Sequence, residues 1–139
     1  MIGRSSDCFD ASRSLGVRHV APMHDFHKLE VWHLSRVLGS EIYRACALVK
    51  RSEARLITSQ LSRSALGIAS TIAEGCGKRT RAETLRYLDI ASGSAAETEH
   101  HLIVAIETEI LKNGDGQDFL ARIGSVRRML FALMKHLPP

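Results

Sequence analysis

Glu30 and His33 stand three positions apart, and so do Glu97 and His100. Helical bundles use that Glu-x-x-His spacing to aim two ligands at one di-metal centre. Chemistry of that kind also needs carboxylates from the remaining helices, all turned inward. Neither Glu30 nor Glu97 lies on the apolar stripe of its own segment. The last helical segment holds no glutamate, which leaves Glu74 as the one extra candidate. These side chains therefore read as surface carboxylates, with no metal and no cofactor expected. His24, His27 and the pair His100 and His101 lack an acidic partner at ligand spacing and read as solvated histidines.

Cys8, Cys46 and Cys76 are scattered and odd in number, the pattern of free thiols in a reducing compartment rather than of a disulfide frame or zinc site. Cys76 lies between Gly75 and Gly77. It would act as a nucleophile only if a base approached it from elsewhere in the fold. The run Gly75-Cys76-Gly77-Lys78-Arg79 offers a different chemistry, because backbone N–H groups at the next helix start, with two cations, suit an anion. The plainer role of those glycines is to end one helix and reverse the chain.

Positioning those residues falls to helices. Of 139 residues, 45% are hydrophobic and only 5% aromatic, and no β-branched runs of the strand type occur. That is one all-α domain. The net charge of +4 and an isoelectric point near 9.3 give a mildly basic surface that favours polyanions. No segment reaches the run of about 18 apolar residues that a bilayer span requires, and the first 22 residues lack a signal-peptide core. The expected location is the cytoplasm, with no membrane partner. Residues 1–22, with Gly3, Gly16 and Pro22, show no sustained period and read as a loosely ordered extension. Residues 23–139 form the bundle domain, since Met23 begins a segment that looks complete by itself.

The first helix is predicted from about Phe26 to Val49, with Val31, Leu34, Leu38, Ile42, Ala45 and Val49 as its buried stripe. Phe26, Leu29 and Trp32 project away from that stripe and ask for a second apolar partner. Ser52 is the expected N-cap of a second helix carrying Ala54, Ile57, Leu61, Ala65, Ile68 and Ile72, which Gly75 and Gly77 end. Thr80 and Glu83 form a capping box that starts the third helix near Arg81. Its seam is Thr84, Leu88, Ala91, Ala95, Thr98, Leu102, Ala105 and Glu109, whose small members imply close helix approach. The opposite face bears Ile90, Gly93, Ser94, Glu97, His101 and Val104, a surface suited to another helix. Asn113-Gly114-Asp115-Gly116 is turn chemistry. A fourth helix then follows with Phe119, Ile123, Val126, Leu130, Leu133 and Leu137 inward. Short connections favour an antiparallel up-down-up-down four-helix bundle.

Several ordered motifs add a resemblance that covers about Met23 to Leu137. They are Asp25-Phe26 with Leu29-Glu30-Val31-Trp32, Thr58-Ser59-Gln60-Leu61 with Arg63 and Ala65, Ile72-Ala73-Glu74-Gly75 with Gly77 and Arg79, and Ile90-Ala91 with Gly93-Ser94 and Glu97. Together they make the chain similar to the 23S rRNA intervening-sequence proteins. It departs from their pattern at Ala69 and Thr71, where Pro and Asn are usual, and at Cys76, where an aromatic is common. The resemblance implies a bacterial homopentamer of four-helix bundles with no established enzymatic activity. Some similar proteins are accessory factors of the reverse transcriptases of diversity-generating retroelements. A homo-oligomer would cover Phe26, Leu29, Trp32, Ile90, Gly93, Ser94, Glu97, His101 and Val104.

In an antiparallel bundle the loop after the second helix lies at the end that holds the chain termini. Lys78, Arg79, Arg81 and Arg86 are therefore expected to share an end with Lys28 and Lys135. Repeated around a ring, they would concentrate positive potential and bind phosphates without regard to sequence. The expected function is a non-enzymatic binding or scaffold module for RNA or DNA. The alternative is a protein-interaction subunit, such as a reverse-transcriptase accessory factor.

Overall fold

A computed structural model of the protein describes residues 25–138; the expected extension over residues 1–22 lies outside them, as do Cys8 and His24. Four α-helices carry the described chain: α1 (Glu30–Ala47), α2 (Arg55–Cys76), α3 (Arg81–Glu107) and α4 (Asn113–Lys135). Among the described residues there is no strand. α1 packs on α2 and α4, and α3 packs on the same two helices, so the four close a cycle around one core. Leu38, Ile42, Leu61, Ile68, Ile72, Leu88, Leu102, Ile123 and Leu130 fill that core and are essentially inaccessible to water.

Most predicted faces are the observed ones. On α3 the positions Thr84, Leu88, Ala91, Ala95, Thr98, Leu102 and Ala105 are all buried; Glu109 is not, because α3 stops two residues before it. On α1, Val31, Leu38 and Ile42 are buried as expected, but Ser35, Gly39 and Cys46 complete the stripe. Leu34 is left 42% exposed. Residues 34 and 35 lie about 100° apart around the helix, so the stripe keeps Val31, Leu38 and Ile42 but turns toward the side of Ser35 and Gly39. The cause is a close backbone approach: a Cβ added to Gly39 would stand 2.9 Å from the Ala65 carbonyl oxygen on α2. The small side that this approach needs faces α2, and Leu34 is swung outward.

The ends differ more. The expected single helix from Phe26 is broken: Phe26–Lys28 is one turn of 3-10 helix, Leu29 is extended, and α1 begins at Glu30. The Asp25 carboxylate accepts from the His27 backbone N–H at 3.1 Å, a local turn that competes with the helix. Ser52 makes no cap; Ser52–Ala54 is a further 3-10 turn, and α2 starts at Arg55 without a side-chain cap. Gly75 does not end α2. It lies inside the last turn, buried, where a Cβ would meet Tyr87 Cβ at 2.8 Å, so it permits α2 to approach α3. Gly77 is the C-cap and has ordinary right-handed backbone angles. The Thr80 cap is present, its Oγ1 accepting from the Glu83 N–H at 3.2 Å. The reversal between α3 and α4 falls at Glu109, whose φ is +59°, and Asn113–Gly116 form the first turn of α4. A non-glycine residue in the left-handed region is uncommon; here it lets Ile110 and Leu111 N–H groups return to the Ala105 carbonyl.

Inside the bundle, α2 and α3 share one polar contact. Thr98 Oγ1 lies 3.0 Å from Ser64 Oγ and 2.8 Å from the Ser94 carbonyl, while Ser64 Oγ donates to the Leu61 carbonyl at 3.2 Å. The Ser35 hydroxyl, in contrast, is buried without a partner in the bundle, the kind of group that costs free energy to desolvate.

Candidate nucleic-acid interface

Local contacts bring the predicted cations to one end. Arg81, at the start of α3, donates from Nε to the Leu137 carbonyl beyond α4 at 3.3 Å, which joins those two chain segments. Lys135 closes the last turn of α4, with Nζ 5.3 Å above the exposed Phe131 ring. The Phe26–Lys28 turn packs on both α1 and α2. It reaches the C-terminal end of α2, because Asp25 stands near enough to Cys76 to act on its thiol. Lys78 lies 4.5 Å above the Tyr87 ring and 3.8 Å from Glu74, so part of its charge is matched within the chain. Arg79, Arg81 and Lys28 are exposed there. Arg86 is exposed as well, about 7 Å further along α3 at 1.5 Å per residue.

The residues expected to face another subunit divide into two groups. Phe26, Leu29 and Trp32 are half-buried and pack against the edge of the core. On α3, Ile90 and Gly93 are exposed, and no heavy atom stands within 4 Å of where a Gly93 Cβ would be. Ser94, His101 and Val104 are half-buried. Glu97 is held by Arg63 of α2 at 3.0 Å and by His101 at 3.4 Å. That ion pair ties Glu97 to α2 across the α2–α3 boundary. Among the described residues no three His, Cys, Asp or Glu side chains converge closely enough to hold a metal ion.

Two thiols are accounted for by burial. Cys46 and Cys76 are free and buried. Desolvation pushes the Cys76 thiol up, and the nearby Asp25 carboxylate pushes it further. Desolvation pushes Cys46 up as well, against a hydrogen bond from Ser62. Both therefore stay protonated near neutrality and make poor nucleophiles.

The patterns of sequence missed a cluster of rings at the basic end. Phe26 and His27 stack with centroids 4.1 Å apart, Trp32 meets Phe26 edge-on at 4.8 Å, and His33 meets Trp32 at 4.8 Å. The Arg36 guanidinium lies 5.4 Å from the Trp32 ring centre. The Asp25 carboxyl is held below its usual range, chiefly by the side-chain hydrogen bond from His27 and then by the His27 backbone N–H. The Asp-x-His spacing was the available signal, because an aspartate two residues before a donor makes a local turn. Elsewhere an open groove of about 480 Å³ runs between α3 and α4, lined by Ser92, Glu99, Gly124, Arg127, Arg128 and Phe131. Its Arg127 is paired to Glu99.

These features define a small helical-bundle protein whose charged side chains lie on its outside, with Lys28, Lys78, Arg79, Arg81 and Lys135 at one end. The chain belongs to the 23S rRNA-intervening sequence protein family, which it matches over residues 27–132. It is also similar to a crystal structure of a protein with unknown function from the S23 ribosomal protein family of Bacteroides thetaiotaomicron. The two share 25% identity at a TM-score of 0.69, covering 76% of this chain and 98% of that one. Among curated proteins none matches detectably. No described helix is long and apolar enough to cross a membrane.

Proposed function

We propose that the protein is a non-enzymatic, cytoplasmic bundle that binds RNA or DNA weakly and without sequence preference through phosphate contacts at its basic end. The observation that carries this reading is the Arg81 to Leu137 contact, which supports gathering Lys78, Arg79, Arg81 and Lys135 on one rim. The closed packing cycle and the short connections at residues 77–80 and 108–112 support an up-down-up-down chain path. The unpartnered α3 flank around Ile90 and Gly93 supports a homo-oligomer, a pentamer in the family-based reading, which would repeat the cationic rim around a ring.

Two measurements test these proposals. In mobility-shift titrations, four phosphate contacts would weaken binding roughly 100-fold between about 50 and 200 mM salt, and reversing Lys78 and Arg79 to glutamate would lower the log–log slope by about 2. No shift at low salt would eliminate nucleic acid and leave the alternative, a basic rim that contacts an acidic protein surface such as that of a reverse transcriptase. In sizing with light scattering, the protein at micromolar concentration is expected to run as an oligomer, and Gly93→Arg as a smaller species. A wild-type monomer would sink the assembly.

A further inference from the structure

His27 combines two properties that seldom occur together on a surface. Its side chain is 67% exposed, yet three hydrogen bonds fix the residue. The backbone N–H donates to Asp25 Oδ1 at 3.1 Å, and Nδ1 donates to the same oxygen at 2.8 Å. The carbonyl accepts from His33 Nε2 at 2.6 Å. One face of the imidazole is covered by Phe26, 4.1 Å away and inclined by only 25°, so the opposite face looks into solvent. Trp32 stands edge-on beside the pair, 5.6 Å from the His27 ring. A side chain that free to move would normally lose rotamer entropy on meeting a ligand; here the ring is ordered beforehand.

A flat, open, pre-oriented ring next to Lys28 suits one kind of occupant. Unpaired nucleobases stack on histidine and other aromatic faces while nearby cations take the phosphates, whereas duplex bases have no free face to offer. The Asp25 carboxylate keeps its negative charge while it orients the ring, and the neighbouring Lys28 ammonium offsets that charge. We propose that the exposed face of His27, backed by Phe26, is a stacking platform for an unpaired base, so that the strand held at the basic end is single-stranded. This rests on the nucleic-acid reading above and adds to it a preference that phosphate contacts alone would not give.

The full chain is titrated with a single-stranded deoxythymidine oligomer of about fifteen nucleotides, the corresponding duplex, and inorganic polyphosphate as a base-free polyanion. Trp32, the one tryptophan of the sequence, reports the site by fluorescence. The single strand is expected to bind more tightly than the duplex and to quench Trp32. His27→Ala is expected to lose about 5- to 100-fold in single-strand affinity, with polyphosphate affinity unchanged, and His27→Phe to restore it. The unchanged polyphosphate affinity excludes a folding defect. Single-strand affinity that is equal in His27→Ala and wild type, with the shift persisting, would overturn the platform and leave phosphate binding standing. Failure of every polyanion to bind at low salt would overturn both.

Discussion

Leu102→Ala is expected to destabilise the protein by about 3–4 kcal/mol, more than any surface change considered above. Leu102 is the next-to-last buried position of the α3 seam, 0% exposed, among residues supplied by the neighbouring helices. Removing three carbons from such a site loses their transfer free energy and leaves a cavity that close-packed helices cannot collapse into. For a domain of this size the melting temperature would fall by roughly 10–15 °C, and a total stability of about 5–15 kcal/mol would be cut severely. Thr98→Val, one turn away, serves as a scale. It removes a buried hydroxyl but leaves Ser64 its bond to the Leu61 carbonyl, so the loss should stay near 1 kcal/mol. Urea melts of both variants check this; a Leu102→Ala loss no larger than that of Thr98→Val would refute the seam as the centre of the core.

Gly39→Ala is expected to destabilise by about 2 kcal/mol, although alanine is the better helix former by about 1 kcal/mol. The new Cβ would stand 2.9 Å from the Ala65 carbonyl oxygen and 3.5 Å from the Leu66 Cα. Both are α2 backbone, so no side chain can swing away and the two helices must move apart. Gly67→Ala supplies the opposite sign. Its nearest neighbour would be Ser94 Oγ at 3.9 Å, an ordinary contact, and the helix propensity gain of about 0.5–1 kcal/mol should appear in full. Chemical denaturation midpoints measured side by side would show it. A Gly39→Ala variant as stable as the parent would mean that α1 and α2 are not held at this separation.

Those two glycines also show where sequence reading stops. Each is a helical glycine that directly follows a leucine, and nothing in spacing tells a backbone contact from open space. The same blindness explains α1. Its apolar residues point to Leu34, while the packed face uses Ser35, Gly39 and Cys46, whose small size matters and whose hydrophobicity does not. On α3 the pattern was legible because one face is uniformly small or apolar for six turns, and both neighbouring helices pack on it. Helix ends were legible where a side chain caps the backbone, as at Thr80, and illegible at Glu109, where a strained left-handed residue does the work usually given to glycine.

The candidate site divides in the same way. Lys78, Arg79, Arg81 and Lys135 were identifiable as a basic group because helix order and loop length decide which ends meet. His27 was not, since its solvated appearance in sequence conceals a ring locked by Asp25, His33 and Phe26.

By itself the sequence determined four helices, their inward faces to within one position, and the family, because hydrophobic period and capping act over a few neighbouring residues. Only the tertiary structure decided how closely α1 approaches α2, which glycines must stay glycine, and which exposed ring is held still. Those depend on distances between segments far apart in the chain, and local patterns of residue type do not encode such distances.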